Sequence, residues 1–160
     1  AIQAFGLRPT SDLFNYIEDG HVVEIHDPMG IQIFRNSEFY KFSSYSIEEF
    51  YCCPWADLFL HETNNTQKIL EKAQILYSGK TKNVIPFDID EHVIEEVCSS
   101  CRLKIKASIE WGAALFDFSG QVVATIVLER GLLLNPDNNI YRPKPSFGKL
   151  TLLEPTETTS

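Results

Sequence analysis

The feature that most constrains the fold is a pair of apolar runs within residues 103–128. From Leu103 to Trp111, apolar side chains alternate with polar ones, which is the period of a strand with one buried face and one exposed face. The second run, residues 122–128, is β-branched and almost wholly apolar, as is typical of a central strand covered on both faces. The turn residues between the runs are Asp117, Ser119 and Gly120. The sequence therefore predicts an antiparallel hairpin in the middle of a sheet.

Periodicity elsewhere predicts three more strands and a helical insert. The strands are expected at residues 22–27, 31–34 and 83–97, the last with an acidic loop over residues 88–92. Short helices are predicted to begin at Asn36 or Ser37 and at Ser46, where Glu49 completes a capping box. A longer helix is predicted to begin at residues 64–66 and to end at Gly79. An amphipathic helix is expected within residues 5–20.

This order of elements indicates one α+β domain of 160 residues. We expect a five-stranded antiparallel sheet with short helices and one longer helix on one face. The predicted division is an N-terminal flanking helix at 1–20, a main domain at 21–131, and an irregular extension or linker at 132–160.

Composition excludes several classes of function. The formal net charge of −8 opposes contact with phosphate backbones, so we expect no direct nucleic-acid binding by this segment. No run approaches the roughly 18 apolar residues that a membrane span needs, so we expect no membrane partner. Four cysteines are too few for a disulfide-dense secreted scaffold, and the expected location is the cytoplasm.

Several segments resemble the PAS family. The Asp27-Pro-Met-Gly30 turn between two strands, followed by Asn36-Ser-Glu-Phe39, is similar to its strand pair and N-x-x-F segment. Tyr45-Ser-Ile-Glu-Glu-Phe50 resembles its Y-(S/T)-x-E-E-(L/F) segment. Leu58-Phe-Leu-His61-Glu62 resembles its H-P-E-D segment, with Thr63 and Asn64 in place of Pro and Asp. Residues 111–126 resemble its closing hairpin, so the resemblance covers about residues 20–130.

The resemblance implies a sensory and dimerisation module whose output domain lies elsewhere in the polypeptide or in a partner. The flavin-binding light-sensing branch has a G-x-N-C-R-F-L-Q helix, but Trp55 stands about where its reactive Cys would be. Members that bind haem place an axial His on the long helix, and residues 66–78 contain no His. No cofactor is therefore expected.

Aromatic residues concentrate between the second predicted strand and the long helix, where sheet and helices face each other. They predict either a plain core or a partly open apolar pocket with a few polar groups. The predicted pocket walls are Phe39, Phe42, Tyr45, Trp55, Ile69, Phe87, Ile105 and Trp111.

Motifs of catalysis and metal binding are weak. Cys98-Ser-Ser-Cys101 has a spacing found in zinc and redox sites, but ordinary thiols at a strand entrance are the favoured interpretation. The four histidines are scattered, and the acidic residues from Asp88 to Glu96 are expected to be a solvated loop. No catalytic residue and no metal site are predicted.

The leading hypothesis is a non-enzymatic sensor that binds a small, mostly apolar ligand, or dimerises, and controls a transcription regulator or histidine kinase. Alternatives are a small NTF2-like α+β enzyme, which needs polar groups facing its cavity, and an interaction module with a filled core. Homodimerisation is expected through the N-terminal helix. Its apolar residues are Phe5, Leu7, Leu13, Phe14 and Ile17.

Overall fold

The computed structural model describes residues 2–141, which form a six-stranded antiparallel sheet with helices on one face. The strands are β1 Val22–His26, β2 Gln32–Arg35, β3 Phe59–Leu60, β4 Ile85–Glu96, β5 Lys104–Phe116 and β6 Val122–Leu133. The α-helices are α1 Ile47–Cys52, α2 Trp55–Leu58 and α3 Thr63–Tyr77. Short 3-10 helices occupy Gln3–Phe5, Leu13–Asn15, Ser37–Lys41 and Pro136–Tyr141. The strand order is β2-β1-β6-β5-β4-β3.

The predicted α+β architecture is confirmed, with six strands rather than five. The additional strand, β3, has only two residues and pairs with the end of β4. A segment this short carries no period of its own, which is why the sequence did not predict it. The predicted central hairpin is β5 and β6, and β6 lies between β1 and β5.

The turns of the two hairpins, β1–β2 and β5–β6, are built in the same way. The Asp27 carboxylate accepts hydrogen bonds from the backbone N–H groups of Met29 and Ile31, both at 2.9 Å, and Gly30 has a φ of +76°. The Asp117 carboxylate likewise accepts from the backbone N–H groups of residues 119 and 121, at 2.8 and 2.9 Å, and the glycine at 120 has a φ of +85°. Aspartate holds each turn, and glycine supplies the left-handed backbone that the turn requires.

The helical insert follows the predicted signals. Ser46 and Glu49 form the expected capping box at the start of α1: the Ser46 Oγ accepts from the Glu49 N–H, and the Glu49 carboxylate accepts from the Ser46 N–H. Helix α3 contacts β4, β5 and β6 and buries Ile69 and Leu76 against the sheet. One face of this central sheet is therefore covered by α3.

The N-terminal segment differs from the prediction of a helix within residues 5–20. It contains two 3-10 turns joined by extended chain, and Arg8 makes a single bridge to Phe116 of β5. Leu13 has no exposed surface and packs on the sheet face opposite α3. Arg130 donates to the carboxylates of Glu18 and Glu110. Packing on the sheet and this ion pairing, rather than helical hydrogen bonds, determine the path of the segment.

The predicted acidic loop at residues 88–92 is wrong, because those residues lie within β4. Two register shifts interrupt its pairing with β5, and Asp88 has a φ of +52°. Bulges let the strand turn its polar residues outward without ending it. Glu96, which was expected among solvated acids, is fully buried.

Strand β6 continues to Leu133, two residues past the predicted end of the domain at 131. Most of the predicted extension at 132–160 lies outside the described residues. Within residues 2–141, no helix is both long enough and apolar enough to cross a membrane.

Candidate ligand-binding cavity

A cavity of about 650 Å³ lies between the inner face of the sheet and the helices. All the long strands and α3 contribute to its wall, and Phe39 and Phe42 close it beside β1. Its apolar lining includes Phe39, Phe42, Phe50, Trp55, Ile69, Phe87, Ile94, Ile105, Ala107, Ile109 and Val127. Small-molecule sites in proteins have volumes of roughly 300–1,000 Å³, so this cavity has the size of such a site.

Six of the eight predicted wall residues line this cavity: Phe39, Phe42, Trp55, Ile69, Phe87 and Ile105. Glycines allow two of these rings to approach the sheet closely. A Cβ atom at Gly112 would lie 2.2 Å from the Phe87 ring, and one at Gly131 would lie 3.2 Å from the Phe42 ring. The absence of side chains at both positions lets each ring pack on backbone.

Trp111 does not line the cavity, contrary to the prediction. The pairing of β5 with β6 shifts by one residue between Ile109 and Trp111. A one-residue shift transfers every later side chain to the other face of the sheet. Trp111 therefore lies on the outer face, with its ring centroid 4.7 Å from that of Tyr16.

Tyr45 is also outside the cavity lining, although it lies directly behind it. Its ring packs edge-on against Phe50 and Phe59, both at 5.5 Å between centroids. Its hydroxyl donates to the Leu58 carbonyl at 2.6 Å and accepts from the Cys98 N–H at 2.9 Å. Tyr45 thus supports the wall by linking the end of α2 to the chain after β4.

Polar residues that the sequence did not predict occupy one end of the cavity. They are Glu24 and His26 of β1, Gln32 of β2, and Thr125 and Glu129 of β6. The signal was present in β1, where Val22, Glu24 and His26 are two residues apart and so share one face. The spacing alone does not predict whether that shared face is buried or exposed.

Burial shifts the pKa values of these groups toward their neutral forms. Burial raises the pKa of Glu24 to about 7, opposed by the nearby Gln32 amide and the positive charge of Arg35. Burial, and then the proximity of Glu24, raise the pKa of Glu129 well above its usual value. Burial lowers the pKa of His26 to about 4. At neutral pH the histidine is uncharged and Glu24 is partly protonated.

A second polar group lines the cavity near α2. The His61 ring lies 4.8 Å from the Trp55 ring and 6.1 Å from the His92 ring, between centroids. Burial, and then the neighbouring His92, lower the pKa of His61 to about 4. Neither ring nitrogen of His61 has a hydrogen-bond partner within the described residues, and the same holds for His92 Nε2. These imidazoles are therefore available to hydrogen-bond a ligand.

The cysteines form no site with these groups. All four are free thiols; Cys52 and Cys98 are exposed, and Cys53 and Cys101 are half-buried. Within the described part of the chain, no three His, Cys, Asp or Glu side chains are arranged to hold a metal ion.

Several solved structures are similar to the chain over most of its length. The dark structure of the LOV domain of the blue-light photoreceptor Aureochrome1 aligns with a TM-score of 0.52 and 12% identity, over 81% of this chain and 88% of that one. LOV domains belong to the PAS family. The chain has a PAS fold.

Two further PAS structures align less closely. The sensory box domain of a sensor histidine kinase from Vibrio cholerae has a TM-score of 0.48 and 8% identity, over 76% of this chain and 88% of that one. The light-state dimer of the fungal photoreceptor Vivid has a TM-score of 0.49 and 8% identity, over 71% and 78%. No family model matches the sequence, and no curated protein matches it.

Proposed function

We propose that this PAS-fold domain is a sensory module that binds a small, mostly apolar molecule between its sheet and helices. The observation that carries the proposal is the cavity of about 650 Å³, with aromatic walls and a few polar groups at its ends. A bound ligand would fix the positions of α2 and α3 against the sheet and so change the surface offered to an output domain. The output domain is a transcription regulator or a histidine kinase, attached or in a partner.

The proposal is tested with 1-aminoanthracene, a neutral dye whose fluorescence rises in apolar surroundings. We expect saturable binding to the whole chain, and loss of at least about tenfold in affinity in Ala107→Phe. Ala107 lines the cavity, so the added ring would occupy space that the dye needs. The matched control is Lys106→Phe, which adds the same ring one residue away, outside the cavity lining.

Both variants should retain the far-UV circular dichroism of the parent chain. Binding that Ala107→Phe leaves unchanged would place the dye elsewhere and contradict the proposal. Native mass spectrometry of the freshly purified chain, followed by denaturing analysis of any released molecule, would identify a ligand retained from the cell.

One observation favours the enzyme alternative: carboxyl and imidazole groups face the cavity. The fold is of the PAS type, however, and among the described residues no imidazole that lines the cavity is hydrogen-bonded to a serine, threonine or cysteine side chain. We therefore propose a binding role rather than catalysis. A cavity of this volume also weighs against an interaction module with a filled core.

We also propose that two copies of the domain associate through the N-terminal segment. Phe5 and Phe14 are 52% and 64% exposed, and Phe118 beside Gly6 is 72% exposed. Leu13 is completely buried within its own chain, so it cannot take the interface role expected of it.

A further inference from the structure

Two carboxyl groups meet inside the cavity. In the pairing of β1 with β6, Val22 lies opposite Glu129, and Glu24 lies opposite Val127. Glu24 and Glu129 are therefore diagonal neighbours on the inner face of adjacent strands, within reach of each other's long side chains. Both line the cavity. Carboxyl groups at this spacing form an acidic end in an otherwise apolar chamber.

No strong base of the described residues forms an ion pair with either carboxyl group. Arg35 lies directly opposite Glu24 on the neighbouring strand, and its positive charge lowers the pKa of Glu24, but its guanidinium stacks 3.7 Å above the centre of the Phe50 ring and makes no ion pair within 4.0 Å. Arg130 also lines the cavity, but it is paired with Glu18 and Glu110. The basic group within 4.0 Å of Glu24 is His26, with its Nε2 3.3 Å from a Glu24 oxygen. Because burial lowers the pKa of His26 to about 4, that imidazole is neutral at pH 7.

Unpartnered polar atoms face the same end of the cavity. Gln32 is only 2% exposed, and its amide lies near Glu24, yet neither its oxygen nor its nitrogen makes a well-formed hydrogen bond within the described residues. His26 is 8% exposed as a residue, and its Nε2 is likewise without a well-formed hydrogen bond within the described residues. A buried polar group without a partner lowers the stability of the folded chain, so a ligand that hydrogen-bonds to these atoms would recover part of that free energy.

We propose that the Glu24–Glu129 end of the cavity is a subsite for the protonated amine or amidine of an apolar ligand. This inference rests on the proposed binding function. An ammonium group between the two carboxylates forms charge-assisted hydrogen bonds with both and leaves its apolar body against the aromatic wall. The Gln32 amide oxygen supplies a third acceptor. An anionic ligand would be repelled from this end.

The test uses three indoles that differ in charge and share one ring system: tryptamine, 3-(2-hydroxyethyl)indole and indole-3-propionate. Isothermal titration calorimetry with the whole chain at pH 7 should give an affinity for tryptamine about tenfold or more above that for the neutral alcohol. The propionate should bind most weakly. Binding of tryptamine should also release protons, because the ammonium group favours ionisation of both carboxyls. Comparing phosphate with Tris buffer measures that release.

Glu24→Gln and Glu129→Gln should each remove most of the preference for tryptamine while retaining affinity for the neutral alcohol. The control is Glu91→Gln, which removes an exposed carboxylate of β4 outside the cavity lining and should change none of the three affinities. The inference is overturned if tryptamine binds no better than the alcohol, or if its advantage survives both variants. Such a result would leave the proposed binding function intact. If neither any of the three indoles nor 1-aminoanthracene binds, both the binding function and the amine subsite are overturned.

Discussion

At the scale of single residues, Glu24 is a carboxyl group that folding removes from water. It is 6% exposed and has a neutral imidazole and a second carboxyl group as its neighbours in the cavity. Burial raises its pKa from 4.5 to about 7. Between these two pH values the folded chain holds a proton that the unfolded chain has released. Stability contributed by the neutral carboxyl is therefore complete below about pH 4.5 and is lost as the pH rises to 7.

We predict that Glu24→Gln flattens this fall in stability and makes the chain more stable at pH 8, by as much as about 3 kcal/mol. His26 acts in the opposite direction, since its pKa of about 4 removes stability as the pH falls below 6.5. Urea unfolding from pH 4 to 8 measures both effects, and subtracting the variant from the parent isolates Glu24. Glu38→Gln, which changes a partly exposed carboxylate paired with Lys41, is the control. Parallel curves for the parent and Glu24→Gln would contradict the prediction.

The sequence predicts which side chains are buried between the sheet and the helices. It does not predict which face a side chain takes where that depends on the register of strand pairing. Phe39, Trp55 and Phe87 line the cavity because large aromatic residues between a sheet and its helices are buried there. Trp111 was misplaced because the bulge before it leaves no trace in the alternation of apolar and polar residues. Glu24 was missed because an acidic residue in a strand is usually on the exposed face.

At the scale of elements, the fully buried carboxylate of Glu96 joins three segments. It accepts hydrogen bonds from the backbone N–H and hydroxyl of Ser44, both at 2.6 Å, and from the hydroxyls of Ser43 and Ser99. It also accepts from the backbone N–H of Leu103 at 3.2 Å. The chain before α1 and the connection from β4 to β5 are thus held against the end of β4.

We predict that Glu96→Ala lowers the free energy of unfolding by about 3–5 kcal/mol, because it leaves several buried donors without an acceptor. Glu96→Gln should cost less, since the amide oxygen keeps some of these bonds. The matched control is Glu95→Ala on the same strand, whose carboxylate makes only a partly exposed ion pair with Lys104 and should change stability by less than about 1 kcal/mol. Equal decreases in the free energy of unfolding for Glu96→Ala and Glu95→Ala would contradict the prediction that the Glu96 carboxylate holds these segments together.

Local signals explain which elements the sequence predicted well. The capping box at Ser46, the glycine after α3 and the aspartate–glycine turns each act within a few residues, so they can be read without knowing the fold. The acidic stretch of β4 resembles a loop in sequence, because its strand is stabilised by pairing with β5, a contact that forms only in the folded chain. The path of the N-terminal segment depends on the same kind of distant contact.

At the scale of the whole molecule, the N-terminal segment covers part of the outer sheet face and presents its own exposed apolar surface. Leu7, Tyr16 and Ile17 pack around the buried Leu13, whereas Phe5 and Phe14 project outward. The amphipathic pattern alone does not distinguish the residues that pack within their own chain from those that could contact a second copy. Leu13 belongs to the core of its own chain, and substituting it would destabilise the fold by about 3 kcal/mol or more whether or not the chain dimerises.

We predict that the chain forms a dimer and that Phe14→Glu shifts it to monomer without lowering its stability, because Phe14 is 64% exposed within one copy. Sedimentation velocity over a range of concentrations measures the mass, and urea unfolding confirms the fold. Ile75→Glu on α3 is the control: it places the same charge on a residue that is 48% exposed on the helical side, and should leave the dimer intact. A parent chain that stays monomeric at every concentration would refute the N-terminal interface. A dimer broken by Ile75→Glu and not by Phe14→Glu would place the interface on the helical side of the sheet.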